Sequence, residues 1–303
     1  MNTLVRKAFP LAAVIAPALL ATVASMSAGL EDKPPELRKV AVGDGVELHH
    51  VSRGKGVAVL FVHGTLGDYS TWDGQLGPFA ETYRAIAYSR RYNHPNTNRL
   101  RPNHSAIVEA EDAAAFIKKL DLGKVHVVGH SYGGYAALFL AVQHPESVRT
   151  LTLAEPPVVF VGDRIEDAKE RLVKRARTAF EKGDPESAVR SIVNSSQEGR
   201  YDRIPEAFRK LLLRNAKELE ALVSSDNMYP ALERDTVRKI AAPTLLLSGE
   251  KSPATQKSVD EELERLLPEK QRQRVIIHDA DHGMWFQRPE ACRKAVLEFL
   301  REK

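Results

Sequence analysis

Eight short, mostly apolar runs constrain this chain more than any other feature: residues 40–42, 46–51, 57–62, 85–88, 125–128, 151–154, 244–247 and 275–277. Each is too short for a core helix. From the third onward they largely lack the apolar–polar alternation of a strand with one wet face, so they read as strands covered on both sides. The first two are joined by the turn Gly43-Asp44-Gly45. Between the runs lie stretches with apolar residues at helical spacing: 107–120, with Glu109 and Asp112 expected to face solvent, then 135–143, 261–267 and 289–300. This alternation predicts an α/β fold with a mostly parallel sheet flanked by helices.

The rhythm breaks once. From about Gly162 to Arg234 helical periodicity continues with no clear strand, and Gly183-Asp184-Pro185-Glu186 reads as a helix stop followed by a new N-terminus. A helical cap of about 158–236 is therefore expected, inserted after the sixth strand into a domain of 36–303. A chain of 303 residues can bury most of its apolar surface without disulfides. Its one cysteine, Cys292, falls in a helical pattern and reads as a small core residue.

The first residues follow another logic. Arg6-Lys7 precede an apolar stretch, 8–24, then the small residues Ala24, Ser25, Ser27 and Ala28, then polar Glu31-Asp32-Lys33. Residues 1–28 read as a signal peptide, cut after Ala24 or Ala28. The alternative is an uncleaved anchor, because 8–30 is just long enough to span a bilayer, although Pro10 and Pro17 interrupt it. Export to a periplasmic or secreted location is expected, with membrane association only through this segment. Elsewhere the charges are balanced, 42 basic against 40 acidic, and interspersed, as in residues 164–171. That pattern reads as solvated helical faces and excludes a nucleic-acid patch. The expected partner is a small-molecule substrate.

Chemistry concentrates after the fifth run. Gly129-His130-Ser131-Tyr132-Gly133 follows a strand and opens a helix, the context that a G-x-S-x-G nucleophile turn requires. The flanking glycines leave room for so tight a turn. The turn lifts the serine hydroxyl to a helix N-terminus, where negative charge is favoured. A serine needs a base, and on this motif the partners follow in the order serine, acid, histidine. His282, in Asp279-Ala280-Asp281-His282-Gly283-Met284-Trp285, lies on the loop after the last run and is the expected base. His278 is its rival, closer to the strand. His130 is expected to project elsewhere. For the acid, Glu155 ends the sixth run and Glu250 follows the seventh. The backbone N–H groups of Tyr132 and Thr65 are the expected oxyanion-hole donors, and His63 is read as structural. No His, Cys and carboxylate cluster has metal-ligand spacing, so no metal or cofactor is expected.

These residues resemble the serine-nucleophile, esterase-like branch of the α/β-hydrolase fold superfamily. The likeness runs from about residue 40 to 300 and rests on the His63-Gly64 loop, the serine turn and the Asp281-His282-Gly283-Met284-Trp285 loop. Ser131 departs from the haloalkane-dehalogenase and epoxide-hydrolase branches, which carry Asp there. Many relatives place the acid where this chain has Ser252, which carries no charge. Some members take it from the sixth strand, so the resemblance favours Glu155 over Glu250. Tyr88-Ser89-Arg90-Arg91 replaces an Arg-Gly-x-Gly loop. Its Arg90 or Arg91 is a candidate binder of a substrate carboxylate, or else half of an internal ion pair. Trp72 and Trp285, with Met284, Phe286 and Tyr229, are candidate pocket walls. The implied activity is hydrolysis of a small carboxylic ester or related acyl compound through an acyl-serine. The rivals are carbon–carbon bond hydrolysis, acyl transfer or perhydrolysis, and a non-catalytic binding protein on the same fold.

Overall fold

The structure, a computed structural model, describes residues 35–163, 167–195 and 199–303. The expected signal or anchor, residues 1–28, lies outside the described residues. Eight strands form one sheet: β1 (Arg38–Gly43), β2 (Val46–Arg53), β3 (Ala58–Val62), β4 (Arg84–Tyr88), β5 (Val125–His130), β6 (Val148–Ala154), β7 (Thr244–Gly249) and β8 (Arg272–Ile277), in the order β1-β2-β4-β3-β5-β6-β7-β8. β2 runs antiparallel to both its neighbours and every other pair is parallel. Every predicted run falls on a strand.

The central runs work as expected because β3, β5 and β7 are covered on both faces, whereas the edge strand β8 leaves Ile276 exposed. In β3, Ala58, Leu60 and Val62 join one buried cluster, and Val59 and Phe61 join the other. That split is the two-residue side-chain period of a strand. The first face carries α2 (Ala106–Lys119) and α3 (Tyr132–Gln143). The second carries α1 (Asp73–Ala80) through Leu76 and Phe79, and the last helix through Val296 and Phe299. Glu109 and Asp112 do not face solvent on α2. They are 0% and 4% exposed, because Arg90 and Arg91 after β4 fold onto that face and pair with them.

Between β6 and β7 stand α4 (Asp167–Glu181), α5 (Pro185–Val193), α6 (Arg200–Arg203), α7 (Glu206–Arg214), α8 (Ala216–Val223) and α9 (Arg234–Arg238). The Asp184 side chain caps α5 by accepting the Ser187 N–H at 2.9 Å, with Pro185 in the first turn. A bridge between Phe160 and Leu232 closes the neck of this cap. α10 (Ala254–Leu266), α11 (Met284–Gln287) and α12 (Pro289–Arg301) complete the chain. Cys292 is 0% exposed within α12, and burial raises its thiol to a pKa of about 12.

Candidate active site

Ser131 sits where β5 gives way to α3, with φ 53 and ψ −126. Such a backbone costs energy for a residue other than glycine and persists only where its surroundings impose it. Here the packing is unforgiving. A Cβ on Gly133 would lie 2.3 Å from the His63 carbonyl oxygen, and one on Gly129 would lie 2.6 Å from the Gly134 Cα. Only glycine lets the turn close this tightly against the loop after β3.

Glu155 reaches the same place by strand pairing. β5 and β6 are parallel with His130 beside Ala154, so the two chains leave the sheet side by side. The Ser131 N–H donates to the Ala154 carbonyl at 2.9 Å. Glu155 follows with φ 48 and is fully buried. Its Oε1 accepts the Gly249 N–H at 2.7 Å, and its Oε2 lies 2.8 Å from His282 Nδ1. Burial opposes the charge of Glu155. The hydrogen bond and electrostatic pull of His282, with the Gly249 N–H, outweigh it and hold its pKa below the ordinary carboxylate value.

His282 is held by its own loop. Lys251 N–H donates to the Ala280 carbonyl at 2.7 Å, tying the loop to the end of β7. The Asp281 carboxylate accepts the Gly283 N–H at 2.8 Å and the Gln287 amide at 3.0 Å. With Nδ1–H directed at Glu155, Nε2 keeps its lone pair. Among the described residues, neither His282 Nε2 nor the Ser131 hydroxyl has a hydrogen-bond partner, and both are buried. Two complementary polar atoms left free inside a protein point to chemistry or a ligand.

The structure joins His282 to Glu155, holds Ser131 against Ala154, the residue before Glu155, and leaves Glu250 out of that pairing. Glu250 accepts the Asp279 N–H at 2.9 Å and lies 3.4 Å from the exposed His278. His130 departs from expectation. Its ring lies 4.8 Å from that of His282, tilted by 38°, and its Nε2–H donates to the His282 carbonyl at 2.8 Å. Burial, then the nearby charge of His282, lowers its pKa to about 3, so it stays a neutral donor. The Tyr132 N–H belongs to the first turn of α3, where amides lack intrahelical partners. Gly64, beside Thr65, packs so closely on the elbow that a Cβ there would lie 3.1 Å from the Ser131 Cβ.

The expected pocket walls need correction. Arg90 is 0% exposed and donates to Glu109 at 3.0 Å, Glu218 at 2.6 Å, the His63 carbonyl at 3.1 Å and the Gly64 carbonyl at 3.2 Å. A guanidinium so engaged has nothing to offer a substrate carboxylate. Arg91 likewise forms a two-point bond with Asp112. Trp72 and Trp285 are 1% and 5% exposed and meet edge to face at 4.9 Å in the cluster beneath the sheet. Met284 is buried there too, and Phe286 packs outside on Phe208. Tyr229 lines a cavity beside the loop after β3. Its other walls are Thr65 and mostly apolar cap residues, among them Leu172, Ile192, Leu219 and Met228. These cap residues were missed because the cap's helical periodicity does not distinguish a wall residue from a packing one.

A serine on a glycine-bounded strand-to-helix turn, a histidine after the last strand and a buried carboxylate define the α/β-hydrolase class. The chain belongs to the alpha/beta hydrolase family, whose match covers residues 59–295. It is 25% identical to the 2-(acetamidomethylene)succinate hydrolase of Mesorhizobium japonicum over 87% of this chain and 94% of that one. It is 34% identical to the dihydrolipoyllysine-residue acetyltransferase component of the acetoin cleaving system of Cupriavidus necator, over 40% of this chain and only 32% of that longer protein. A thermophilic esterase from Thermogutta terrifontis superposes with a TM-score of 0.71 at 23% identity, covering 88% of this chain and 98% of the esterase.

Proposed function

We propose that this protein hydrolyses a small carboxylic ester or related acyl compound through an acyl-Ser131 intermediate. The observation that carries this reading is the 2.8 Å bond from His282 Nδ1 to buried Glu155, with His282 Nε2 and the Ser131 hydroxyl both unpartnered. In this reading Ser131 Oγ attacks the acyl carbon while His282 Nε2 takes its proton. Glu155 holds the imidazole in the required tautomer and stabilises the imidazolium. The oxyanion is held by the N–H groups of Thr65 and Tyr132. The tetrahedral intermediate expels the alkoxide, which takes the proton from His282. Water then repeats the sequence on the acyl-serine and frees the acid. The cavity bordered by Thr65 has largely apolar walls, which suits the apolar part of an acyl group.

The test is covalent labelling with a fluorophosphonate. Wild type labels and Ser131→Ala does not. An unlabelled wild type, or equal labelling of the variant, overturns the reading. We also propose export directed by residues 1–28; N-terminal sequencing of the exported protein that finds Met1 intact counts against cleavage.

A further inference from the structure

The cap sends one fully buried carboxylate across to the oxyanion loop. Glu218 on α8 is 0% exposed. Its Oε2 accepts the Leu66 N–H at 2.7 Å, and its Oε1 accepts from Arg90 Nη2 at 2.6 Å. Leu66 directly follows Thr65 and holds a left-handed φ of 61, a conformation that leucine keeps only when its neighbours impose it. Arg90 grips the same loop from the other side through the His63 and Gly64 carbonyls, and its backbone N–H donates to His63 Nε2 at 3.1 Å. A second brace lies just beyond: Asp68 accepts from Arg214 at 2.8 Å and from Asn215 at 2.8 Å, both from the α7–α8 corner. The loop from His63 to Asp68 is thus suspended between the sheet and this part of the cap.

We infer that Glu218 is a positioning residue for the oxyanion hole, through its bond to the Leu66 amide beside Thr65. The inference rests on the serine-hydrolase reading. Its physical basis is direction. A charged acceptor on the Leu66 N–H fixes the orientation of that peptide plane, and through it the turn that presents the Thr65 N–H. Charge-assisted bonds of this kind are short and strong when water is excluded. The α7–α8 side of the cap therefore acts as part of the catalytic frame. Separating it from the loop would strip Arg90 of Glu218, one of its two carboxylate partners.

The test uses the full chain with p-nitrophenyl butyrate as substrate and butylboronic acid as a mimic of the tetrahedral oxyanion. Glu218→Asp keeps the negative charge facing Arg90 but is too short to reach Leu66. Glu218→Gln keeps the length but gives up one acceptor. Each is expected to lower kcat about 10- to 100-fold with KM within about threefold, and to weaken boronate binding by the same factor. A purely structural role would lower the melting temperature without moving the ratio of boronate Kd to KM. Replacing the Leu66 amide by an ester removes the donor while every side chain stays in place, and is expected to give the same loss should both side-chain variants fail to fold. A folded variant, or the ester, that keeps kcat within about threefold overturns the inference. Failure of the underlying reading looks different: wild type then neither turns over the ester nor labels at Ser131.

Discussion

Replacing Glu155 by Gln is the sharpest test of the proposed mechanism, because the structure dictates which way the amide must sit. Oε1 of Glu155 accepts the Gly249 N–H at 2.7 Å. A Gln side chain can satisfy that donor only with its carbonyl, which turns its NH2 toward His282 Nδ1. An NH2 there forces Nδ1 to accept and moves the imidazole proton to Nε2, the atom that must take the proton of Ser131. The base is then in the wrong tautomer. In serine triads this kind of error costs about 10⁴ in kcat, or about 5 kcal/mol of transition-state stabilisation. Glu250→Gln, altering a carboxylate that touches Asp279 and His278 and not His282, should leave kcat within about twofold. Steady-state hydrolysis of p-nitrophenyl butyrate by both variants decides the matter. Activity of Glu155→Gln within about tenfold of wild type, or an equal loss in Glu250→Gln, would refute the assignment.

Two further outcomes follow from buried charge. Arg90→Met leaves Glu109 and Glu218 facing each other without their shared cation and should cost about 3–5 kcal/mol of stability in urea denaturation; a loss under about 1 kcal/mol would show that the network is not holding the loop. Acid should also destabilise the protein well before its carboxylates titrate. Burial holds His63 and His130 near pKa 3 and His50 and His126 near 4, against 6.5 in the unfolded chain. Below pH 6.5 the unfolded state therefore takes up protons that the folded state refuses, and stability falls with pH by up to about 1.4 kcal/mol per unit for each such histidine. A urea midpoint unchanged between pH 7.5 and 5.0 would contradict this.

The sheet and the serine elbow were legible in the sequence because both obey local rules. Strand runs covered on two faces are apolar at most positions, and a turn as tight as that at Ser131 must have glycine two residues before and after. The order of the runs placed His282 on the loop after the last strand and left two carboxylates for the acid. What sequence could not supply was which charges meet. Glu155 and His282 are 127 residues apart, and the pairing of β6 against β5 and β7 brings them to 2.8 Å. Arg90 was open in sequence to either a substrate carboxylate or an internal ion pair; in the fold it is buried, and a buried guanidinium must be paired, so Glu109 and Glu218 claim it. Trp72 and Trp285 became core for a similar reason: a large ring is driven to whichever side of the sheet can cover it, and their chain positions did not say which. Local stereochemistry thus determined the strands, the elbow and the candidate base, while long-range packing, which admits a buried charge only with its partner, decided which carboxylate meets His282, the fate of Arg90 and the reach of the cap into the loop after β3.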